Sequence, residues 1–328
     1  MSEMNIKKMS SVSPLIPILI IGFNRPNNLG ATLDSLDLES CSKIYISIDG
    51  PRDNYDVEQQ AEIANVIMKF ENENSVSVVI NQSELNLGCA LGVVHALEWF
   101  FSHETAGLVL EDDLLISDDF FKMLSKFLEE ADLTTEVICA YAPFETSDQE
   151  SLYWKSRYLF ISGWYLSKTL WEDTAADMFR FHLPYVRNKK GQKREGSESI
   201  FWWAACMRVI LGFTDTWDCV FYDSFWKNGN ICYVPRQNLI LNTGFDEFGT
   251  HTKDAEDDLR FRHENKYGNT VYAINLDKYI KKYYFRIQSR HLITPLLSLI
   301  QKIFVNSVKK DPKIRSQKAK IYEFSRSK

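Results

Sequence analysis

The first half of the chain alternates short apolar runs with longer amphipathic segments. Four runs are rich in apolar and β-branched residues, at residues 18–21, 44–48, 76–80 and 108–110. Such runs are typical of strands that are buried on both faces, as in parallel sheets. The segments between and after them repeat apolar residues at helical spacing, within residues 29–36, 61–70, 91–101 and 117–128. The alternation predicts an open α/β sheet with helices packed on it.

The second half is less regular. It predicts a strand at 138–142 and a helix at 199–211, and it contains an aromatic-rich segment at 158–166. A basic run at 187–194 predicts a solvated, mobile loop, and a flap that grips the substrate is the alternative. The pattern therefore predicts both helices and strands in the second half, but it does not predict the order of the strands in a sheet.

Polar residues follow each of the predicted strands at its carboxyl end. Arg25 and Asp49 follow the first two strands, a loop containing Gly88 follows the third, and Asp112 and Asp113 follow the fourth. Ligands of open α/β sheets bind beyond the carboxyl ends of the strands. Each residue alone also fits a surface turn, but four polar features at one edge of a sheet predict a binding site there.

The fourth strand runs directly into the acidic triplet Glu111, Asp112 and Asp113. Three carboxylates at the end of a buried strand are costly unless a cation pairs with them. Mg²⁺ and Mn²⁺ prefer oxygen ligands and commonly join one or two carboxylates to substrate phosphates. The alternative is a solvated turn whose acids favour the N-terminus of the next helix. The sequence has neither GxGxxG nor GxxxxGK[ST], so a dinucleotide site or a P-loop is unsupported.

The charge is unevenly distributed along the 328 residues. Residues 278–328 contain 14 Lys and Arg against 2 Asp and Glu, so a net charge of −6 leaves −18 on residues 1–277. The basic tail also has an apolar stripe between 296 and 304, which predicts an amphipathic helix lying on an anionic membrane. Packing of that stripe on the domain is the alternative. The acidic body argues against nucleic acid as a partner.

Neither a signal peptide nor a membrane span is predicted. The apolar run at 15–23 is short, contains Pro17 and lacks a small-residue cleavage site, which favours a first core strand. The six cysteines are scattered, with no CxxC pair and no histidine spacing typical of zinc sites. They are predicted to be reduced, mostly buried thiols of a cytosolic protein.

Several short motifs come in a characteristic order. They are residues 17–21 with Arg25, IDGPR at 48–52, NLGC at 86–89, EDD at 111–113, Gly163-Trp164, Trp217-Asp218, and an NxGF…THT ending at 242–252. In this order the sequence resembles the GT-A glycosyltransferases, within them the group related to N-acetylglucosaminyltransferase I, and bacterial surface-polysaccharide sugar transferases. The resemblance spans roughly residues 15 to 255. It implies a GT-A fold, a Rossmann-like and mostly parallel sheet flanked by helices.

The resemblance implies donor-binding roles for five residues. Asp113 would ligate Mn²⁺ (or Mg²⁺) that bridges the two phosphates of a nucleotide-sugar. Asp112 would contact the ribose or the sugar, and Glu111 the donor sugar. Asp49 and Arg25 would hold the nucleotide base and the neighbouring phosphate.

The resemblance also implies the residues that act on the acceptor. Asp218 matches the position of the general base, Thr250 and His251 would close over the diphosphate, and a helix-capping role of Trp217-Asp218 is the alternative. Other candidate bases are Asp215, Asp223, Asp246 and Glu247. Candidates for the acceptor or sugar pocket are Gly163, Trp164 and Trp217. The region from 173 to 199 has no counterpart in the family.

The predicted organisation has three parts. Residues 1–14 are expected to be disordered, and residues 15–277 to form the catalytic domain, with a nucleotide-sugar half at 15–142 and an acceptor half at 143–277. Residues 278–328 form the basic amphipathic tail.

The predicted function is transfer of a sugar from a nucleotide-diphospho-sugar, expected to be a UDP-sugar, to a hydroxyl of a glycan or lipid-linked glycan. One base opposite the leaving group predicts inversion by direct displacement. The expected location is the cytoplasm, peripheral at the inner face of the cell membrane. A non-catalytic nucleotide-sugar or glycan-binding relative is the alternative. A sugar nucleotidyltransferase is less favoured because no Gly-rich basic loop follows the first strand.

Overall fold

The computed structural model describes residues 15–74, 76–143, 152–180 and 182–244, together with Asp277 and Lys281. The predicted disordered N-terminus lies outside the described residues. So does the predicted amphipathic tail, except for Lys281. Within the described part of the chain, no helix is long and apolar enough to cross a bilayer.

The first half forms a parallel sheet with connecting helices, as the alternation of apolar runs predicted. The strands are β1 (Ile16–Gly22), β2 (Cys41–Ile48), β3 (Val78–Gln82) and β4 (Ala106–Glu111), and the helices are α1 (Pro26–Asp34), α2 (Asn54–Asn74) and α3 (Gly88–His103). The strands pair in the order β3-β2-β1-β4, and every pair is parallel. The confirmed prediction is therefore an α/β sheet with helices as crossovers.

Two local predictions differ from the structure. The third strand begins at Val78 rather than at residue 76, because the backbone N–H of Val78 donates to the Glu71 carboxylate and pairing with β2 starts there. Helix α1 begins at Pro26 with Arg25 at its N-cap, two or three residues before the N-cap that Asn27 or Asn28 would give. Proline is favoured at the first position of a helix because its missing N–H is not needed there.

The second half extends the sheet on the β4 side with strands of both directions. Its elements are β5 (Leu114–Ile116), α4 (Asp118–Leu128), β6 (Glu136–Cys139), β7 (Tyr153–Ser156), β8 (Trp164–Ser167), α5 (Lys168–Ala175), α6 (Gly196–Ile210), α7 (Asp218–Asn228), β9 (Ile231–Pro235) and β10 (Ile240–Asn242). The eight-stranded order is β3-β2-β1-β4-β8-β6-β9-β7, and β8 is antiparallel to both of its neighbours. Strands β5 and β10 form a separate antiparallel pair. The central sheet is thus mixed, with its continuous parallel part in the first half.

The basic run at 187–194 packs against the C-terminal end of α7. The Lys189 N–H donates to the Lys227 carbonyl, and Arg194 is only 5% exposed, with its guanidinium on Asp223. The prediction of a solvated loop is wrong for Arg194. Lys227 lies nine residues after Asp218 along α7, which is roughly 14 Å of helix. This separation disfavours the interpretation of 187–194 as a flap over the acidic triplet.

The residue at the predicted tail boundary is attached to the domain. The Asp277 carboxylate accepts hydrogen bonds from the Ser156 hydroxyl (2.8 Å) and from the Arg157 N–H (3.3 Å). Lys281 pairs with Glu195 at the N-cap of α6 and lies 3.8 Å from the buried Glu198. These contacts fix the start of the tail against β7 and α6.

We expect Asp277→Ala to destabilise the protein by about 1–2 kcal/mol, since hydrogen bonds to charged groups contribute that order of free energy. Chemical denaturation followed by tryptophan fluorescence measures the change. Asp277→Asn, which keeps an acceptor for Ser156, should lose less. Asp173→Ala, which removes an exposed carboxylate of α5, should change little. Equal stability of wild type and Asp277→Ala would show that these contacts do not hold the segment.

Candidate active site

The parallel pairing of β1, β2 and β4 brings three strand ends to one edge of the sheet. Gly22 is opposite Ile48, and Ile21 is opposite Glu111. The residues that follow each strand, 23–25, 49–52 and 112–113, therefore lie side by side. This is the edge at which the sequence predicted a binding site.

Asp112 is fixed by the loop that follows β1. Its N–H donates to the Ile21 carbonyl (2.9 Å), and its carbonyl accepts from the Thr32 hydroxyl (2.8 Å). Its carboxylate accepts from the Phe23 N–H (3.2 Å). Asp112 is 7% exposed and Asp113 is 8% exposed. The two carboxylates are thus held in a largely dehydrated turn between β4 and β5.

Asp113 pairs with Arg25, the residue at the N-cap of α1. The distance between Nη1 of Arg25 and Oδ2 of Asp113 is 2.8 Å, and both side chains are mostly buried. Both residues were predicted to contact the donor phosphates, directly or through a cation. The structure brings them into direct contact with each other.

The end of β10 covers this ion pair. The Thr243 N–H donates to the Asp113 carbonyl (2.8 Å), and the Asn28 side chain donates to the Thr243 hydroxyl (3.1 Å). A Cβ at Gly244 would lie 1.9 Å from Oδ2 of Asp113, so only glycine allows the backbone this close. Thr250 and His251 follow Gly244 by six and seven residues and lie outside the described part of the chain.

The triplet carries more negative charge than Arg25 balances. Burial, followed by the charge of Asp113, raises the pKa of both Glu111 and Asp112. Glu111 keeps an exposed surface, so solvent screens its shift more than that of Asp112. Oxygen donors with uncompensated charge at the end of a strand fit a hard divalent cation. Perturbed carboxyl pKa values of this kind cluster at functional sites.

Asp49 binds the loop that leads into α3. Its carboxylate accepts from the N–H groups of Leu87 (2.9 Å) and Gly88 (3.0 Å) and from the Asn86 side chain (3.1 Å). The residue predicted to hold the nucleotide base is therefore engaged with the chain in this structure. A nucleotide base bound beside Asp49 would lie against the loop at residues 86–88, which Asp49 holds through these hydrogen bonds.

Asp218 begins α7, with Trp217 at the N-cap. Its Oδ1 accepts from the Thr216 hydroxyl (2.6 Å) and from the Cys219 N–H (2.7 Å). Among the described residues its hydrogen bonds all fall on Oδ1, so Oδ2 is available to a ligand. The charge of Asp218 is one of the lesser causes that raise the pKa of Glu111, which places the two carboxylates in the same region.

The predicted acceptor-pocket residues lie beneath Asp218. The rings of Trp164 and Trp217 stack at 5.9 Å and are 1% and 5% exposed. Gly163 has a φ of +64°, and its carbonyl accepts from the Ala140 N–H. In this conformation the two rings support the start of α7 and offer little surface to a sugar.

Asp215 connects the two halves of the chain. Its carboxylate accepts from the N–H groups of Cys89 (3.1 Å) and Ala90 (2.9 Å) in the first turn of α3. Burial and the charges of Glu111, Asp215, Asp218 and Asp49 raise the pKa of the Cys89 thiol, so these acids surround one helix start. The sequence named Asp215 only as another candidate base, because nothing in it signals a cap so far along the chain.

The remaining candidate bases are placed elsewhere or are not described. Asp223 is buried on α7 with Tyr185 and Arg194 as partners, on a different side of the helix from Asp218. Asp246 and Glu247 lie outside the described residues.

Comparisons with known proteins find similarity of fold but not of sequence. No family model matches the chain, and no curated protein matches its sequence. S. aureus TarS (residues 1–349) has 11% identity and a TM-score of 0.41 over 70% of this chain. That match spans 61% of the TarS structure, less than two-thirds of its length.

Two other solved structures are similar at the same level. UDP-glucose pyrophosphorylase complexed with UDP-glucose has 8% identity and a TM-score of 0.37, over 68% of this chain and 90% of its own. The 4-diphosphocytidyl-2C-methyl-D-erythritol synthase from Anaerococcus prevotii has 10% identity and a TM-score of 0.33, over 53% and 79%. At these identities the likeness concerns the fold alone.

We expect Glu111→Gln to stabilise the metal-free protein at alkaline pH. A raised carboxyl pKa means that the folded protein binds the Glu111 proton more tightly than the unfolded chain does. The free energy of unfolding of wild type therefore falls as pH rises toward the folded pKa, where Glu111 loses its proton. The variant has no such loss. Denaturation in the presence of a chelator, from pH 5 to pH 9, should show a difference that grows with pH and shrinks when Mn²⁺ is added. Glu172→Gln, an exposed position on α5, is the control, and a pH-independent difference would contradict an electrostatic cause.

Proposed function

We propose that this chain is a metal-dependent GT-A glycosyltransferase. It transfers a sugar from a nucleotide-diphospho-sugar, most simply a UDP-sugar, to a hydroxyl of a glycan or lipid-linked glycan in surface-polysaccharide synthesis. The observation that carries the proposal is the acidic triplet at the carboxyl edge of the parallel strands, with Asp112 and Asp113 buried, Arg25 paired with Asp113, and Asp218 near enough for its charge to act on Glu111.

The donor half of the reaction uses the triplet and Arg25. Asp113, with its neighbours in the triplet, would hold Mn²⁺ or Mg²⁺ through carboxylate oxygens. A bound divalent cation supplies Lewis-acid neutralisation of the diphosphate as it leaves. Arg25 lies 2.8 Å from Asp113 and adds a fixed positive charge at the same place. Asp112 and Glu111 bind the ribose and donor sugar, and Thr250 and His251 close the site from the segment beyond Gly244.

Asp218 acts as the general base in this proposal. A carboxylate in the first turn of a helix is stabilised as an anion by the helix dipole. The hydrogen bonds to Oδ1 fix its orientation, so that Oδ2 accepts the proton of the acceptor hydroxyl as the hydroxyl attacks. A single base opposite the leaving group gives inversion at the anomeric carbon.

Peripheral membrane attachment fits a lipid-linked acceptor. The segment 278–328 has a net charge of +12, and juxtamembrane basic residues are each attracted to anionic lipid by about 1 kcal/mol. Asp277 and Lys281 tie the start of this segment to the acceptor half. The protein would therefore bring its acceptor half toward the inner face of the cell membrane.

Donor binding is tested first, by thermal unfolding with UDP, GDP or CDP, with and without Mn²⁺. A nucleotide at about 100 times its Kd should stabilise the folded state by roughly 2.7 kcal/mol. We expect one nucleotide to do so only with Mn²⁺, and Asp113→Ala to abolish the shift. Asp118→Ala, which removes an exposed acid at the start of α4, should keep it. No shift with any nucleotide would contradict a nucleotide-sugar donor site.

Catalysis is tested with Asp218→Asn. Transfer should fall by about 10²-fold or more, since general bases contribute ~10²–10⁴ in rate, while the Mn²⁺-dependent nucleotide shift persists. The measurement is release of nucleoside diphosphate from the donor sugar in the presence of acceptor. Asp173→Asn, at an exposed position of α5, is the control and should retain transfer. Undiminished transfer by Asp218→Asn would assign the base elsewhere, and a wild type that binds donor without turnover would favour a binding protein.

A further inference from the structure

A second cluster of metal-ligating side chains lies on a different side of α7. His182 Nε2, Cys206 Sγ and a carboxylate oxygen of Asp223 all lie within 4.8 Å of one another. Asp223 follows Asp218 by five residues, which is roughly 7 Å along the helix and about 140° around it. The cluster is therefore separate from the acidic triplet.

The three side chains line a small cavity. Its volume is about 10 Å³. The rest of its lining includes Tyr185, the Asp177 carboxylate and the basic residues Arg180 and Lys227, and Asp177 pairs with both of these cations. That is the room for roughly one water-sized particle. Cys206 and Asp223 are 1% and 3% exposed, and the His182 side chain is 22% exposed. A single ion could enter past His182 and be enclosed by the other two groups.

The orientation of His182 indicates a cation in this cavity. Its Nδ1 lies 3.1 Å from the Leu183 carbonyl, which only accepts hydrogen bonds, so Nδ1 carries the proton. In a neutral imidazole, Nε2 then presents its lone pair to the Asp223 carboxylate at 3.4 Å. Two lone pairs face each other unless a proton or a metal ion lies between them. Metal-ligating histidines typically donate their other N–H to a backbone carbonyl in this way.

The distance between His182 and Asp223 fits tetrahedral coordination. With metal–ligand bonds of 2.0–2.1 Å, two N or O ligands of a tetrahedron lie about 3.3 Å apart, close to the 3.4 Å between these two side chains. Cys206 Sγ lies within 4.8 Å of both ligand atoms and must move inward, since a zinc–sulfur bond is about 2.3 Å. As a thiolate it gives up the hydrogen bond that the thiol donates to the Cys219 carbonyl at 3.5 Å.

The surrounding groups position the carboxylate and balance its charge. Arg194 contacts Oδ1 of Asp223, and the Tyr185 hydroxyl donates to Oδ2. Arg194 also lies 3.6 Å from the buried Glu198. Glu198 is in turn paired with Arg157 at 3.1 Å, which leaves the charge of Arg194 directed mainly at Asp223. A ligating carboxylate that is itself hydrogen-bonded is the usual arrangement in metal sites.

We propose that His182, Cys206 and Asp223 bind one Zn²⁺ ion, with water as the fourth ligand on the exposed side of His182. The imidazole binds through Nε2, Asp223 through one oxygen, and Cys206 as a thiolate whose proton passes to solvent. Imidazole, thiolate and carboxylate in tetrahedral geometry are the ligands that zinc selects. The ion pins the segment that carries His182 and Tyr185 to α6 and α7, away from the sugar-transfer site.

The test begins with the full chain, purified without a metal-affinity tag from zinc-containing medium and dialysed against metal-free buffer. Elemental analysis should give about one zinc per chain. Replacement by Co²⁺ should give the strong visible bands of a tetrahedral site and a thiolate-to-cobalt charge-transfer band. His182→Asn and Cys206→Ser should weaken Zn²⁺ binding at least tenfold, and Cys206→Ser should remove the charge-transfer band.

Two control variants distinguish this site from the acidic triplet and from the remaining thiols. Cys41→Ser, at a half-buried thiol on β2, should keep the band, and Asp113→Ala should keep both the band and the zinc. Zinc that is lost in Asp113→Ala and gives no thiolate band would assign the metal to the acidic triplet and overturn the proposal. Absence of bound zinc, of a cobalt–thiolate band and of any stabilisation by Zn²⁺ in wild type would also overturn it. These wild-type measurements decide the question even if a variant fails to fold.

Discussion

Mutual repulsion among three consecutive carboxylates is the constraint on which the rest of this site depends. Glu111, Asp112 and Asp113 come at the end of a buried strand, where dehydration makes like charges costly. The surrounding chain offsets part of this cost. The Arg25 guanidinium pairs with Asp113, and the Phe23 N–H donates a hydrogen bond to the Asp112 carboxylate. The charge that remains is the basis of the proposed cation site at this edge of the sheet.

The same edge is built from contacts between distant parts of the sequence. Thr243 reaches the Asp113 carbonyl across 130 residues, and Asp215 reaches the start of α3 across 125. Asp49 and Asp215 serve as acceptors for backbone N–H groups at the same loop and helix start. Asp49 and Asp215 therefore have structural roles near the site, distinct from the roles proposed for the triplet and Asp218.

The sequence predicted the parts of the structure that depend on local periodicity. The four parallel strands, the helical segment at 117–128 and the placement of Arg25 and Asp113 at one edge of the sheet follow from apolar runs and from the geometry of strand ends. It did not predict the antiparallel insertion of β8, the capping role of Asp215 or the burial of Arg194. Each of these depends on tertiary contacts between segments whose own patterns carry no signal. His182, Cys206 and Asp223 likewise come together only in the folded chain, and their spacing in the sequence fits no zinc motif.

The hydrogen bonds between Asp215 and the start of α3 have a consequence for chimaeras that join the two halves from different proteins. Asp215 directly precedes the Thr216–Asp218 turn, so the cap sets how far the proposed base stands from the donor carboxylates. The register between the two halves therefore depends on these two hydrogen bonds as well as on the pairing of β4 with β8 and of β5 with β10. A chimaera that takes residues 143–277 from another protein would keep this loop aligned with α3 only if the incoming loop supplies an acceptor at the position of Asp215.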